Sequence, residues 1–89
     1  MFPNNYKPKR RLDLACEELD GEVVIYDQSQ NKIHALNTTA AWIWRQCDAE
    51  HSLMDIINTM VKVFEVNPQQ AEQDVRRTIA ELSQLSLLE

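Results

Sequence analysis

Glycine is scarce in this sequence: the 89 residues contain one, together with three prolines and two cysteines. A loop that cradles phosphate groups needs several glycines, so a phosphate-binding motif of that kind is excluded. No GxSxG or HExxH pattern occurs, and neither histidine lies at zinc-ligand spacing from a cysteine. We therefore expect a protein that is not an enzyme and that has no cofactor and no metal.

Long apolar runs are also absent. No stretch approaches the ~18–20 residues that a membrane span needs, and the basic start is not followed by the apolar stretch of a secretory signal. We expect a cytoplasmic protein with no membrane contact. Cys16 and Cys47 should then remain free thiols, and each falls at an apolar position of its segment, which predicts two buried side chains.

Charge is distributed unevenly along the chain. The first eleven residues carry four of the nine basic side chains and no acidic one, so residues 12–89 have a net charge of −9. This division predicts a flexible basic N-terminal tail over residues 1–11 and a single domain over 12–89. Such an acidic domain repels phosphate backbones, so nucleic acid is not expected as a partner.

The first half of the domain has the periodicity of strands. Polar and apolar residues alternate over Leu12–Leu19, and Asp20-Gly21 is a strong turn signal. Glu22–Asp27 is rich in β-branched residues, and Lys32–Leu36 is a short third strand after a polar turn. Successive hairpins of this kind predict a three-stranded antiparallel meander.

The second half has the periodicity of helices. Asn37 or Thr38 can cap a first helix over Thr39–Cys47, a Ser52-x-x-Asp55 pattern starts the second, and Asn67-Pro68 starts the third. The expected fold is α+β, a winged-helix-like βββααα arrangement with the helices on one face of the sheet. The predicted apolar stripes are Ala40, Ile43, Trp44 and Cys47; Leu53, Ile56, Ile57, Met60, Val61 and Phe64; and Ala71, Val75, Ile79 and Leu82.

Two surfaces are candidates for binding. The third strand is a predicted sheet edge with a single charge, Lys32, and it can accept an extended peptide as an added strand. Coverage of that edge by the N-terminal tail or by a second copy is an equal alternative. Trp42 should lie off the apolar stripe of the first helix, where it either packs against a neighbouring loop or anchors an interface.

The pattern His34-x-Leu36-Asn37-x-Thr39-Ala40-x-x-Ile43-Trp44, with weaker support from Asp74-Val75, Leu82 and Leu87-Leu88, resembles the PqqD family. Its members are small peptide chaperones of pyrroloquinoline quinone biosynthesis and related leader-recognition domains of ribosomal peptide modification. The resemblance covers about Leu12 to Leu88. Two turns depart from the family pattern: Ala49 and Ser86 stand where the family usually has glycine.

The resemblance implies a binding site on the third strand. In the family, a leader peptide adds as a strand there, in a groove closed by the third helix. Ile33, His34, Ala35 and Leu36 would then offer main-chain groups, and Arg76 would be available for an acidic leader side chain. The residues that would line or support the groove are Val75, Thr78, Ile79 and Leu82.

These observations predict an accessory protein that binds the leader of a precursor peptide and presents it to a modifying enzyme. By resemblance, that enzyme is often a radical S-adenosylmethionine protein, which would carry any metal cluster itself. The chain would act as a monomer or homodimer. Two alternatives remain: a winged-helix regulator that binds DNA or another protein, and a self-pairing structural module.

Overall fold

The computed structural model describes residues 2–89, and these form a three-stranded antiparallel sheet followed by three helices. The predicted βββααα order is confirmed. The sheet has the strand order β1-β2-β3, so β1 and β3 are its two edges. The elements are β1 Ala15–Leu19, β2 Glu22–Asp27, β3 Lys32–Leu36, α1 Thr38–Arg45, α2 Leu53–Phe64 and α3 Pro68–Gln84.

The helices cover only part of one sheet face. Val23 and Ile25 of β2 are buried, whereas every residue of β1 is exposed. The helical layer meets the sheet through α1, which contacts β2 and β3. Because β1 lies beyond that layer, the predicted half-buried strand over Leu12–Leu19 is wrong in both length and burial, and the predicted burial of Cys16 is wrong for the same reason.

The helices α2 and α3 begin where the sequence predicted, and of the two caps considered for α1 the structure has Asn37; α1 covers Thr38–Arg45 and not the predicted Thr39–Cys47. The side-chain oxygen of Asn37 accepts a hydrogen bond from the backbone N–H of Ala40 at 2.9 Å. Ser52 and Asp55 form a reciprocal capping box at the start of α2. Asn67 caps α3 in the same way as Asn37 caps α1, and Pro68 occupies the first turn.

The core lies between the three helices and the inner side of β2 and β3. Cys47 is buried there as predicted, and burial raises the pKa of its thiol to about 12. Trp42 is half-buried and meets Phe64 edge to face, with ring centroids 5.4 Å apart. It therefore packs against the end of α2. The fully buried positions include Ile25, Ala41, Ile43, Leu53, Ile56, Met60, Ala71, Val75, Ile79, Leu82 and Leu87.

Residues 2–11 pack against the domain, in contrast to the predicted flexible tail. Pro8 is fully buried, and its carbonyl accepts a hydrogen bond from the N–H of Ala49 at 3.0 Å. The guanidinium of Arg10 donates to the carbonyls of Trp44 and Arg45, which end α1. Prolines and positive charges give this segment the composition of a tail, but its partners are distant in sequence and no local pattern identifies them.

The two turns that lack the family glycine keep the left-handed backbone that favours glycine. Ala49 has φ of 68° and Ser86 has φ of 59°. The Asp48 carboxylate accepts hydrogen bonds from the N–H groups of Glu50 and His51, and these bonds lower its pKa to about 2. The turn after α1 is thus held by side-chain hydrogen bonds in the absence of glycine.

Candidate functional site

The edge strand β3 is the first component of the site. It pairs with β2 on one side only, so alternate N–H and C=O groups on its other side have no strand partner. Ile33 and Ala35 are exposed on the outer face of the sheet, and Ile33 is 70% exposed. His34 and Leu36 pair with Ile25 and Val23 in the register, so they lie on the side of the helices.

The second component is α3, whose buried stripe belongs to the core. Val75, Ile79 and Leu82 are at most 1% exposed, so their side chains are not accessible to a peptide. Of the two roles expected for them, lining or supporting the groove, this placement favours support from the core side of α3. Thr78, at 7% exposure, lies at the boundary between the core and the surface.

Arg76 lies on a different side of α3 from the predicted groove. Its guanidinium donates to the carbonyl of Phe2 at 2.7 Å, to the side chain of Asn4 and to Glu72 at 3.0 Å. These contacts fix the N-terminal segment to α3. Arg76 therefore anchors that segment, and its assignment to an acidic leader side chain is corrected.

A polar cleft of about 320 Å³ lies between the start of α1, directly after β3, and the adjacent side of α3. Arg77 is its cation and contacts the Asp74 carboxylate at 3.2 Å. The α3 residues that line the cleft recur at i, i+3, i+4 and i+7. A helical wheel drawn from the sequence therefore places them on one side of α3. The cleft is lined by Asn37, Thr39, Ala40, Asp74, Arg77, Thr78 and Glu81.

His34 brings an unpaired polar atom to the helix side of this edge strand. Its Nε2 is buried and has no hydrogen-bond partner among residues 2–89. A buried polar atom in that state costs about 1–3 kcal/mol until it finds a partner. The free edge of β3 therefore offers unpaired main-chain N–H and C=O groups. The imidazole nitrogen of His34 lies buried and unpaired on the helix side of the same strand.

Within residues 2–89, no group of three or more His, Cys, Asp or Glu side chains is arranged to hold a metal ion. None of the helices in that range is both long and apolar enough to cross a bilayer. A second cavity, of about 620 Å³, lies on the other side of α3 and is lined by Phe2, Pro3, Asn4, Glu72, Arg76 and Ala80.

Comparison with known proteins gives one sequence family and two solved structures. The profile of the family described as coenzyme PQQ synthesis protein D (PqqD) matches residues 22–88. A search of curated protein sequences found no match.

Both solved structures share the fold. The structure titled "TbiB1 in Complex with the TbiA(beta) Leader Peptide" has 21% identity and a TM-score of 0.81, over 91% of this chain and 94% of that one. The structure titled "Lasso peptide synthetase B1 complexed with the leader peptide" has 23% identity and a TM-score of 0.82, over 94% of this chain and 99% of that one.

Proposed function

The chain belongs to the PqqD family, and from that premise we propose that it is an accessory peptide-binding protein without catalytic activity of its own. It binds the leader of a ribosomally made precursor peptide and presents that peptide to a modifying enzyme. The observation that carries this proposal is the unpaired edge of β3 beside the cleft that leads to α3. The two structural neighbours, which are both complexes with a leader peptide, support it.

The leader binds as a fourth strand next to β3. The outward N–H and C=O groups of β3 pair with its main chain and supply affinity with little dependence on sequence. Because strand side chains alternate, every second leader residue points towards the α3 side and the others continue the outer face of the sheet.

Specificity comes from the side chains of the cleft. Arg77 is the cation there, with 66% of its side chain exposed. Asp74 and Glu81 add carboxylates at the same cleft, so it favours a leader segment with both an acidic and a donor-bearing side chain.

The modifying enzyme supplies the chemistry. In this arrangement the chain raises the local concentration of the precursor peptide at the enzyme and fixes the direction of that peptide. The enzyme is proposed to be a radical S-adenosylmethionine protein, which carries the metal cluster. We place the complex in the cytoplasm, where free thiols such as Cys16 and Cys47 persist.

Proline substitutions along β3 test the proposal. The probe is a fluorescently labelled leader peptide encoded beside this chain, titrated by anisotropy, with an expected Kd at or below about 1 μM, or about −8 kcal/mol. Ile33→Pro and Ala35→Pro remove N–H groups on one side of the strand, and His34→Pro removes one on the other.

Only one side of β3 faces the leader, so only the proline variants that remove N–H groups from that side should weaken leader binding. The variants that remove outward N–H groups should remain folded by circular dichroism and lose at least about tenfold in affinity. The variants on the other side should instead weaken pairing with β2 and lower stability. Folded variants that all bind the leader as the natural chain does would contradict strand addition.

A further inference from the structure

The outer face of the sheet is uncovered and mainly apolar. The helical layer lies on the opposite face, which it meets through α1, and the register places eight residues on this one. Six of the eight are apolar or aromatic; Leu19 is 58% exposed and Ile33 is 70% exposed. The eight residues are Ala15, Glu17, Leu19, Glu22, Val24, Tyr26, Ile33 and Ala35, and we call this surface the outer face.

An outer face of this composition is unusual for an antiparallel sheet with water on one side. Such sheets alternate apolar residues inside with polar residues outside, because an exposed apolar face gains nothing from folding. Contiguous apolar patches on the surface of a small soluble domain commonly mark an interaction site. The outer face is therefore expected to be covered when the protein works.

The position of Glu17 limits what can cover it. Glu17 lies between Ala15 and Leu19 on β1 and opposite Val24 on β2, with Glu22 at one diagonal, so apolar positions flank its carboxylate and a second carboxylate lies nearby on the same face. Among residues 2–89 its side chain has no hydrogen-bond or ion-pair partner. Coverage by a second copy would bury like charges without partners, which costs several kcal/mol for each ion. Anionic lipid headgroups would be repelled in the same way.

The outer face is also continuous with the edge that receives the leader. Ile33 and Ala35 belong to both, and a strand added beside β3 would extend the outer face with its own alternate side chains. A protein that covers the outer face thus contacts the bound leader at the same time.

We propose that the outer face is the docking surface for the modifying enzyme, which presents an apolar patch with a Lys or Arg opposite Glu17. This inference rests on the proposed function, because the enzyme is the partner that must contact the leader. The cation pairs with a carboxylate that has no partner in the free chain, and the apolar contact excludes water from that pair.

The matched variants Glu17→Lys and Glu50→Lys test this surface. Both glutamates are exposed and the two substitutions change the net charge equally, but Glu50 lies in the loop between α1 and α2. The full chain, with and without saturating leader, is titrated onto immobilised modifying enzyme encoded beside it. Leader affinity is measured separately by anisotropy. Sedimentation at rising concentration detects self-association.

Glu17→Lys should weaken enzyme binding at least about tenfold, whether leader is present or absent, and leave the Kd for the leader unchanged within about twofold. Glu50→Lys should change neither. The proposal is overturned if Glu17→Lys binds the enzyme normally, if both variants weaken it equally, or if the natural chain forms a dimer that Glu17→Lys disrupts. Failure of the natural chain to bind the leader would instead refute the proposed function, since enzyme affinity without leader is measured independently.

Discussion

The guanidinium of Arg11 lies 2.8 Å from the carboxylate of Asp27, which is fully buried at the end of β2. The hydroxyl of Ser29 and the side-chain amide of Gln30 donate to the same carboxylate at 2.7 and 3.0 Å. The Ser29 hydroxyl, and then Arg11, lower the pKa of Asp27 to about 2. This ion pair joins the N-terminal segment to the sheet.

Stability should therefore fall in acid through Asp27. The pKa of an unfolded Asp is about 3.9, whereas the folded value is about 2. The contribution of Asp27 is complete above the unfolded value and is lost as the pH falls from about 4 to about 2. We expect Asp27→Asn to be less stable than the natural chain at pH 7 in urea unfolding, and the difference to shrink towards pH 2.

Asp13 provides the control for that experiment. It contacts the same Arg11 guanidinium, but 65% of its side chain is exposed. Asp13→Asn should therefore change stability little at either pH, because exposed ion pairs contribute little. A stability difference between Asp27→Asn and the natural chain that stays constant from pH 7 to pH 2 would be inconsistent with this role of Asp27.

Ile79 should be indispensable for folding and not for direct contact with the leader. It is fully buried in α3, so Ile79→Ala should lower the free energy of unfolding by about 2–5 kcal/mol. Ile79→Asp should leave the chain unfolded by circular dichroism, since a buried charge without a partner costs more than a small domain can supply. Gln73→Asp on the exposed side of α3 is the control and should change stability by no more than about 0.5 kcal/mol. If the Ile79→Asp chain folds but no longer binds the leader, Ile79 lines the groove and contacts the leader.

The turn after α1 should gain stability from glycine. Ala49 has φ of 68°, a conformation that costs alanine more than glycine, so Ala49→Gly should stabilise by about 0.5–1 kcal/mol after the greater freedom of glycine in the unfolded chain is counted. Ala40→Gly, within α1, should instead destabilise by about 0.5–1 kcal/mol. Relative to the natural chain, the thermal unfolding midpoint should rise for Ala49→Gly and fall for Ala40→Gly. Equal shifts of the two variants would exclude backbone strain at Ala49.

Arg77 and Arg76 should differ in their effect on the leader. Arg77 faces the cleft, so Arg77→Ala should weaken leader binding about two- to fivefold, which corresponds to the value of an exposed charge pair. Arg76 holds the N-terminal segment, so Arg76→Ala should lower the thermal midpoint and leave the Kd within about twofold. Anisotropy and thermal unfolding of both variants distinguish the two roles, and the reverse pattern would place the leader on the Arg76 side of α3.

Much of the fold was predictable because its signals are local. The caps Asn37, Ser52 and Asn67 and the 3.6-residue apolar stripes determine where each helix starts and which side it buries. The turn signal at Asp20-Gly21 and the β-branched run of β2 likewise indicate the meander. Each of these patterns lies within about ten residues of sequence.

The features that the sequence did not predict depend on contacts between residues that are distant in sequence. Alternation in β1 indicates a half-buried strand, but burial needs a helix packed against it. α1 packs against β2 and β3 and meets β1 through the exposed ion pair of Arg45 with Glu18. Arg11 resembles a solvated charge until Asp27, sixteen positions away, is placed beside it. Arg76 and Arg77 are adjacent in sequence, but successive helical residues differ by about 100°. Their guanidinium groups therefore find different partners, the carbonyl of Phe2 and the carboxylate of Asp74.

The most direct test of the central claim is amide-shift mapping by NMR during titration of the ¹⁵N-labelled full chain with the leader peptide encoded beside it. We expect the largest shifts at Ile33–Leu36 and at the α3 residues of the cleft, Asp74, Arg77, Thr78 and Glu81. Shifts confined to residues 2–11 or to the surroundings of Trp42, with none in β3, would contradict binding of a leader strand at this edge.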